Sequence, residues 1–192
     1  VKPGQTLKEF KLRFTSEELF AAATLVHQVV RPTQQYPWPL LAQHAGCEVW
    51  VKHENHTPTG AFKVRGGVIY LRTLKNREPF CEGVIAATTG NHGQSVALAA
   101  KAVNLRSVIV VPEGNNPEKN RAMIAQGAEL IVHGIDFQDS LEYAEFLAEK
   151  QSLHMIPSFH PDLVKGVASF ALELFESAGD LDLVYVPIGL GS

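Results

Sequence analysis

The sequence predicts an α/β fold built on parallel strands, and three observations carry that expectation. From about residue 83 onward, short β-branched or apolar runs alternate with longer helical patterns. Strands separated by helices of such length pair in parallel through crossovers. Two of the runs, Val108-Ile109-Val110-Val111 and Leu183-Val184-Tyr185-Val186, are continuously apolar, as strands covered on both faces tend to be. Finally, polar or glycine-rich loops follow three of the expected strands, where folds of this class bind their ligands. They are His53–Lys63, Thr88–Gln94 and Gly189–Ser192.

The elements follow in order. Thr15 with Glu18 three residues on forms a capping box, and Leu19, Phe20, Ala23, Val26, Val29 and Val30 continue with helical spacing. Three prolines between Arg31 and Pro39 predict a loop. Cys47–Val51 alternates like a strand, followed by a polar loop from His53 to Gly60. A helix is expected over Phe62–Leu74, a strand over Gly83–Ala87, a turn at Thr88–Gly90 and an apolar helix over Asn91–Ala102. Ser107–Val111 reads as a strand. Asn116 as cap and Pro117 as first residue open a helix toward Gln126, which Gly127 stops. Glu129–Val132 is an expected strand, Asp136–Lys150 a helix and Leu153–Ile156 a short strand. A helix over Pro161–Ala178 leads to a last strand, Leu183–Val186.

Composition narrows the class of function. The 192 residues are 45% hydrophobic and 19% charged, with a net charge of -3 and no basic stripe. Nucleic acid and anionic membrane are therefore not expected partners. No apolar run is long enough for a membrane helix, and Val1-Lys2-Pro3-Gly4 lacks the layout of a signal peptide. Cys47 and Cys81 are too few for a disulfide framework and read as reduced thiols of a cytoplasmic protein. The chain stops on a glycine-rich turn, so it is read as a fragment whose continuation is missing.

Each of the three loops has a chemical reading and a plain one. Lys63 stands where a helix should begin, just after Phe62. An amine at the positive end of a helix dipole, partly withdrawn from water, is pushed toward its neutral, nucleophilic form; a solvated first-turn lysine is the plain reading. In Thr88-Thr89-Gly90-Asn91-His92-Gly93-Gln94, free amides at a helix N-terminus form an anion site, and Asn91 adds a hydrogen-bonding side chain. The plain reading there is an N-cap by Thr89 or Asn91, with His92 incidental. Backbone amides of Gly189-Leu190-Gly191-Ser192 can cradle a phosphate; a tight turn or the opening of a dinucleotide-binding motif are the alternatives. His53, His56 and His92 lack ligand spacing, so no metal is expected.

Together, in this order, the loops resemble a known family. Pro58-Thr59-Gly60-Ala61-Phe62-Lys63-Val64-Arg65-Gly66 is similar to the lysine signature of fold-type II pyridoxal-phosphate enzymes, in the branch of serine/threonine dehydratases (ammonia-lyases) and serine racemases. Thr88–Gln94 resembles that branch's asparagine loop, and Val186–Ser192 its phosphate loop. Val111-Pro112-Glu113, Asn116-Pro117-Glu118-Lys119, Gln126-Gly127-Ala128-Glu129, Ile156-Pro157-Ser158-Phe159 and Lys165-Gly166-Val167-Ala168-Ser169 match between them, and the similarity runs from about Pro37 to Ser192.

The resemblance implies pyridoxal 5′-phosphate as cofactor and a small amino acid as substrate. Lys63 would condense with the cofactor's aldehyde and, once displaced, take the Cα proton. Phe62 would pack beside the cofactor, and Asn91 would hydrogen-bond its phenolic oxygen. Thr88, Thr89, Asn91 and His92 would hold the substrate carboxylate, and Gly189, Leu190, Gly191 and Ser192 the phosphate. Leu190 and Ser192 interrupt a loop that is usually all glycine. Thr89 stands where racemases of the branch place a serine, so it is a second catalytic candidate; the balance favours elimination of water from L-threonine or L-serine over racemisation.

Other readings stay open. They are a threonine synthase or cysteine synthase type of enzyme, a catalytically silent ligand-binding relative, and a nicotinamide-binding domain built on Gly189-Leu190-Gly191. The implied fold is two three-layer parallel-sheet domains, cut at the phosphate loop. Residues 1–80 and 152–192 would belong to the larger domain and 81–151 to the smaller, in a homo-oligomer (dimer or tetramer).

Overall fold

The structure is a computed structural model and describes residues 14–188. Helix α1 (Ser16–His27) starts at the expected capping box. The Thr15 hydroxyl accepts from the Glu18 amide at 3.2 Å, and the Glu18 carboxylate accepts from the Thr15 amide at 2.9 Å.

The next stretch differs from expectation. Inside Arg31–Pro39, expected to be loop, lies a short strand β1 (Gln35–Pro37). It pairs antiparallel with β2 (Trp50–Lys52), from Gln35 opposite Lys52 to Pro37 opposite Trp50. Pro37 ends the strand of a two-stranded ribbon, so its missing N–H interrupts no interior ladder. The expected strand at Cys47 accordingly begins later. A further helix, α2 (Pro39–Ala45), lies between the two strands. Pro39 at its first turn and Gly46 at its left-handed end (φ 71°) are ordinary helix limits. Its Leu40 and Leu41 are exposed, so it lacks the one-sided apolar stripe that marks a helix in a sequence.

From α3 (Lys63–Arg77) onward the expected alternation holds. The elements are β3 (Gly83–Ala87), α4 (Asn91–Ala102), β4 (Arg106–Val111), α5 (Pro117–Ala125), β5 (Glu129–Val132), α6 (Phe137–Gln151) and β6 (His154–Met155). Of these, β3, α4 and β5 stand at the expected bounds, and the other boundaries move by no more than three residues. The four strands form one sheet in the order β5-β4-β3-β6, every pair parallel. Both faces of the inner strands β3 and β4 are buried, and the two-residue period of a strand divides their side chains between them. Val84, Ala86, Ile109 and Val111 pack with Val96, Ala97, Ala100 and Met123. Ile85, Ala87, Val108 and Val110 pack with Ala144 and Leu147 on the other side. A third cluster joins Ala22, Val26 and Val30 to Val64 and Ile69. It fastens α1 to α3.

Two late expectations are corrected. The single helix expected over Pro161–Ala178 is two, α7 (Pro161–Val167) and α8 (Ser169–Ala178). Gly66 of α3 and Gly166 of α7 lie face to face: a Cβ on Gly66 would stand 2.6 Å from the Leu163 carbonyl oxygen. The Ser169 hydroxyl donates to the Gly166 carbonyl at 2.8 Å and accepts from Arg65 at 3.0 Å, which turns the chain away from a straight helix. Leu183–Val186 is not a strand. It has no strand partner among the described residues, and Leu183, Tyr185 and Val186 are exposed. An apolar run acquires its ladder only beside another strand. Gly189, Leu190, Gly191 and Ser192 lie outside the described residues, so the phosphate loop read there has no structural account.

Candidate active site

The loop before α3 is tied down from within. Thr57 and Thr59 are buried. The Thr57 hydroxyl accepts from the Ala61 amide at 2.9 Å and donates to the Ala61 carbonyl at 2.8 Å; Thr59 donates to the same carbonyl at 3.3 Å. Gly60, at φ 65°, supplies the left-handed turn between them. This sets Phe62 as the residue before α3 and Lys63 as its first helical residue. The Phe62 ring lies 5.9 Å from that of Phe170. The Lys63 ammonium stands 5.7 Å from the Phe62 ring centroid.

Lys63 is half-buried, and burial lowers its pKa below the usual lysine value. Loss of water disfavours the ammonium, so the amine holds its proton less tightly. The loop after β3 faces it. Ser95 of α4 donates from its hydroxyl to the Lys63 carbonyl at 2.8 Å. Burial and then the Lys63 charge push the His92 pKa down to about 4. The His92 imidazole is therefore neutral at ordinary pH. Its Nε2 is enclosed and has no hydrogen-bond partner among the described residues, an unmet polar atom of the kind that ligands satisfy.

The remaining residues of this loop divide between wall and opening. Thr88 is buried at the end of β3, and its hydroxyl accepts from the Gly90 amide at 3.1 Å. Thr89 and Asn91 are exposed. Neither caps α4: its N-cap is Gly90, with no side-chain hydrogen bond. The plain capping role thus falls away, and the first turn of α4 keeps amides available for an anion. Lys63, Phe62, Thr88, Thr89, Asn91 and His92 all lie at or just before the starts of α3 and α4, two helices packed against each other.

One constellation near Lys63 has no counterpart among the expected site residues. Arg65, with 0% of its surface exposed, donates to Glu54 through Nε at 2.8 Å and Nη2 at 2.9 Å. On its other side it donates to Glu173 at 2.5 and 3.0 Å. Glu173 also accepts from Lys52 at 2.6 Å and lies 2.8 Å from His27 Nε2. Burial alone would raise the Glu173 pKa. The hydrogen bonds of Arg65 and Lys52, with their charge, reverse that and hold it at about 2. Arg65 belongs to the lysine motif, but nothing local in the sequence marks Glu173 as its partner 108 positions away. Elsewhere His53 stacks on His56 at 4.9 Å. No cluster suited to a metal occurs among the described residues.

Known proteins are similar to this chain in sequence and fold. A family model described as pyridoxal-phosphate dependent enzyme matches residues 26–192. The biosynthetic L-threonine dehydratase of Pasteurella multocida is 36% identical over 86% of the chain and 32% of its own length. The L-threo-3-hydroxyaspartate ammonia-lyase of Saccharomyces cerevisiae is 33% identical over 92% of the chain and 54% of its own. Among solved structures, a pyridoxal 5′-phosphate-dependent aspartate racemase superposes with a TM-score of 0.83 at 30% identity, covering 88% of this chain and 53% of that one. The processed threonine deaminase isoform 2 of Solanum lycopersicum gives 0.76 at 30% identity, over 88% and 50%. The chain thus spans about a third to a half of the proteins it matches.

Proposed function

Since the chain belongs to the pyridoxal-phosphate-dependent enzyme family, we propose that it carries the lysine-bearing part of an enzyme that removes water from L-threonine and/or L-serine and releases ammonia and a 2-oxo acid. The observation that carries this reading is the Lys63 amine, half-buried at the start of α3 with a lowered proton affinity, facing the loop that holds His92. The dehydratases and the ammonia-lyase among the relatives support elimination as the reaction class.

The residues present suit an anionic, aldehyde-bearing cofactor. A lysine whose proton affinity burial lowers, an enclosed imidazole nitrogen without a partner among the described residues and uncapped helix amides are the donor set such a molecule needs. Pyridoxal phosphate, when bound, supplies the electron sink for the charge left at Cα. Within the chain, Lys63 binds the cofactor and then acts at the Cα proton; burial lowers its proton affinity, the direction an amine acting as a base needs. Phe62 packs beside the cofactor and Asn91 hydrogen-bonds it. Thr88, Thr89 and the amides of Asn91 and His92 orient the substrate carboxylate, and Thr89 is the second candidate for proton transfer. Gly189, Leu190, Gly191 and Ser192 complete the assignment as phosphate donors. Residues 81–151 are read as the smaller domain, whose sheet takes β6 (His154–Met155) from just past that boundary, and 1–80 with the rest of 152–192 as part of the larger. Cytoplasmic residence and a homo-oligomeric state belong to the same reading; no helix among the described residues is long and apolar enough to cross a membrane.

The test is direct. The protein loaded with pyridoxal phosphate is incubated with L-threonine and with L-serine, and ammonia and 2-oxo acid are measured. Release of both products supports the proposal. No release from either substrate overturns it.

A further inference from the structure

We propose that Lys119 is the cationic partner of the substrate's α-carboxylate at the start of α4. The inference rests on the reading above, that an amino acid places its carboxylate on the Thr88–His92 loop, and it adds a residue from a different helix. Lys119 is the third residue of α5. The Asn116 side chain caps that helix by accepting from the amides of Glu118 at 2.8 Å and of Lys119 at 3.2 Å. A lysine in a first turn stands at the wrong end of the helix dipole, where a carboxylate would be favoured.

Its side chain then runs to a second helix start. A Cβ built on Gly90 would meet Lys119 Cδ at 3.0 Å, Nζ at 3.2 Å and Cε at 3.3 Å. Glycine at position 90 is what leaves the lysine room to lie over the N-cap of α4. The ammonium, carried on a side chain that leaves the first turn of α5, is thus placed against the positive end of α4. Among the described residues, no hydrogen bond or ion pair holds it. Positive charge gathered in this way is unfavourable by itself and becomes favourable when an anion bridges the groups.

A second observation concerns the same first turn of α4. His92, two residues beyond Gly90, has an enclosed Nε2 with no partner. Being neutral, it adds no charge of its own. A carboxylate over the first turn of α4 would accept from the free amides and pair with Lys119 on its outer side.

The test uses the full protein loaded with pyridoxal phosphate. Loss of one charge-assisted hydrogen bond corresponds to about a 10- to 100-fold change. In Lys119→Met, KM for L-serine and L-threonine should therefore rise about that much, with kcat within about threefold and the cofactor's affinity and absorption spectrum unchanged. Lys119→Arg should recover most of the loss. A second readout does not need turnover: calorimetry with L-lactate, which has the carboxylate but no amine to condense, should show weaker binding by a similar factor. Unchanged KM and unchanged lactate affinity would overturn the assignment. So would a selective loss of cofactor affinity, which would make phosphate the partner, or a rise in KM confined to 3-hydroxyaspartate, which would make it a side-chain carboxylate. If wild type turns over neither hydroxy amino acid yet binds lactate, and Lys119→Met weakens that binding, the reaction proposed above fails and the Lys119 assignment stands.

Discussion

The sheet unit from β3 to β6 and the segments around it hold together by different physics. In the sheet, strands β3 and β4 are covered on both faces by aliphatic side chains, and Val108, Ile109, Val110 and Val111 each have 0% of their surface exposed. Around it, α1, the β1–β2 ribbon and α8 meet at a buried ionic knot of Arg65, Glu54, Glu173, Lys52 and His27. Outside that knot, α1, α8 and the stretches that adjoin the ribbon and follow α8 leave Phe20, Phe175, Trp38, Leu40 and Tyr185 exposed. Dispersion and apolar burial are non-directional and tolerate volume-conserving change. A buried ion pair tolerates almost none, because removing one partner strands the other's charge. Lys63 starts α3, the helix that touches both regions, packing on α4 on one side and on α1 and α7 on the other.

Substitutions at four places test the difference between the two regions. The largest effect belongs to the helix between the regions. Lys63→Ala should lower turnover by about 10²- to 10⁴-fold, the usual contribution of a positioned proton-transfer group, and should abolish the visible-edge absorption of bound cofactor. Circular dichroism should stay native, since the side chain is only half-buried; a retained absorption band would refute the lysine assignment.

Next is the knot. Arg65→Ala strands Glu54 and Glu173 and should cost about 3–5 kcal/mol, measured as a fall in denaturation midpoint. The same knot sets an acid response. Glu173 has its pKa held down, from an ordinary 4.5 to about 2. Its contribution is fully present above the unfolded value and fades as pH drops through 4.5 toward 2. His92, lowered from 6.5 to about 4, acts in the same direction between those values, because the unfolded chain takes up the proton first. Thermal unfolding followed from pH 7 to pH 2 should thus show a steady loss, and Glu173→Gln should flatten its lower part. An identical pH curve in that variant would remove the knot from the explanation.

Smaller still is a change within the sheet. Ile109→Val should cost about 0.5–1.5 kcal/mol and, unlike Arg65→Ala, should do so equally at pH 4 and pH 7. A pH-dependent penalty there would blur the distinction between the regions. The smallest stability effect is expected at Asn91→Ala, an exposed site on the loop. The midpoint should move by no more than about 0.5 kcal/mol, while turnover or cofactor affinity falls. Unchanged kinetics would take Asn91 out of the site.

How much could be read beforehand follows the same division. The sheet unit was legible because its signals are local: Val84–Ala87 and Ser107–Val111 declare strands by their side chains, and Asn116-Pro117 declares a helix start. Thr15 and Glu18 likewise announced α1 with both capping hydrogen bonds in place. The β1–β2 ribbon and α2 were not legible, since three prolines read as loop and Leu40 and Leu41 point outward. The late helix was expected unbroken because its turn depends on Arg65 and Gly66, which lie about a hundred positions earlier. In the candidate site, the resemblance of the motifs singled out Lys63, Thr88, Asn91 and His92. It gave no role to Arg65 or Lys119, although both stand in matched segments, and it could not see Glu173.

By itself, then, the amino-acid order determined the alternation of strands and helices, both helix starts that carry the site and the chemical type of the residues upon them. Those features depend on neighbours within a few positions, through backbone sterics, capping and side-chain periodicity. The tertiary structure alone decided which charges became partners, that Lys63 and His92 share one electrostatic environment, and that Lys119 reaches across to Gly90. Coulomb and hydrogen-bond energies depend on distance in space and on the water left between the groups. A linear sequence states neither.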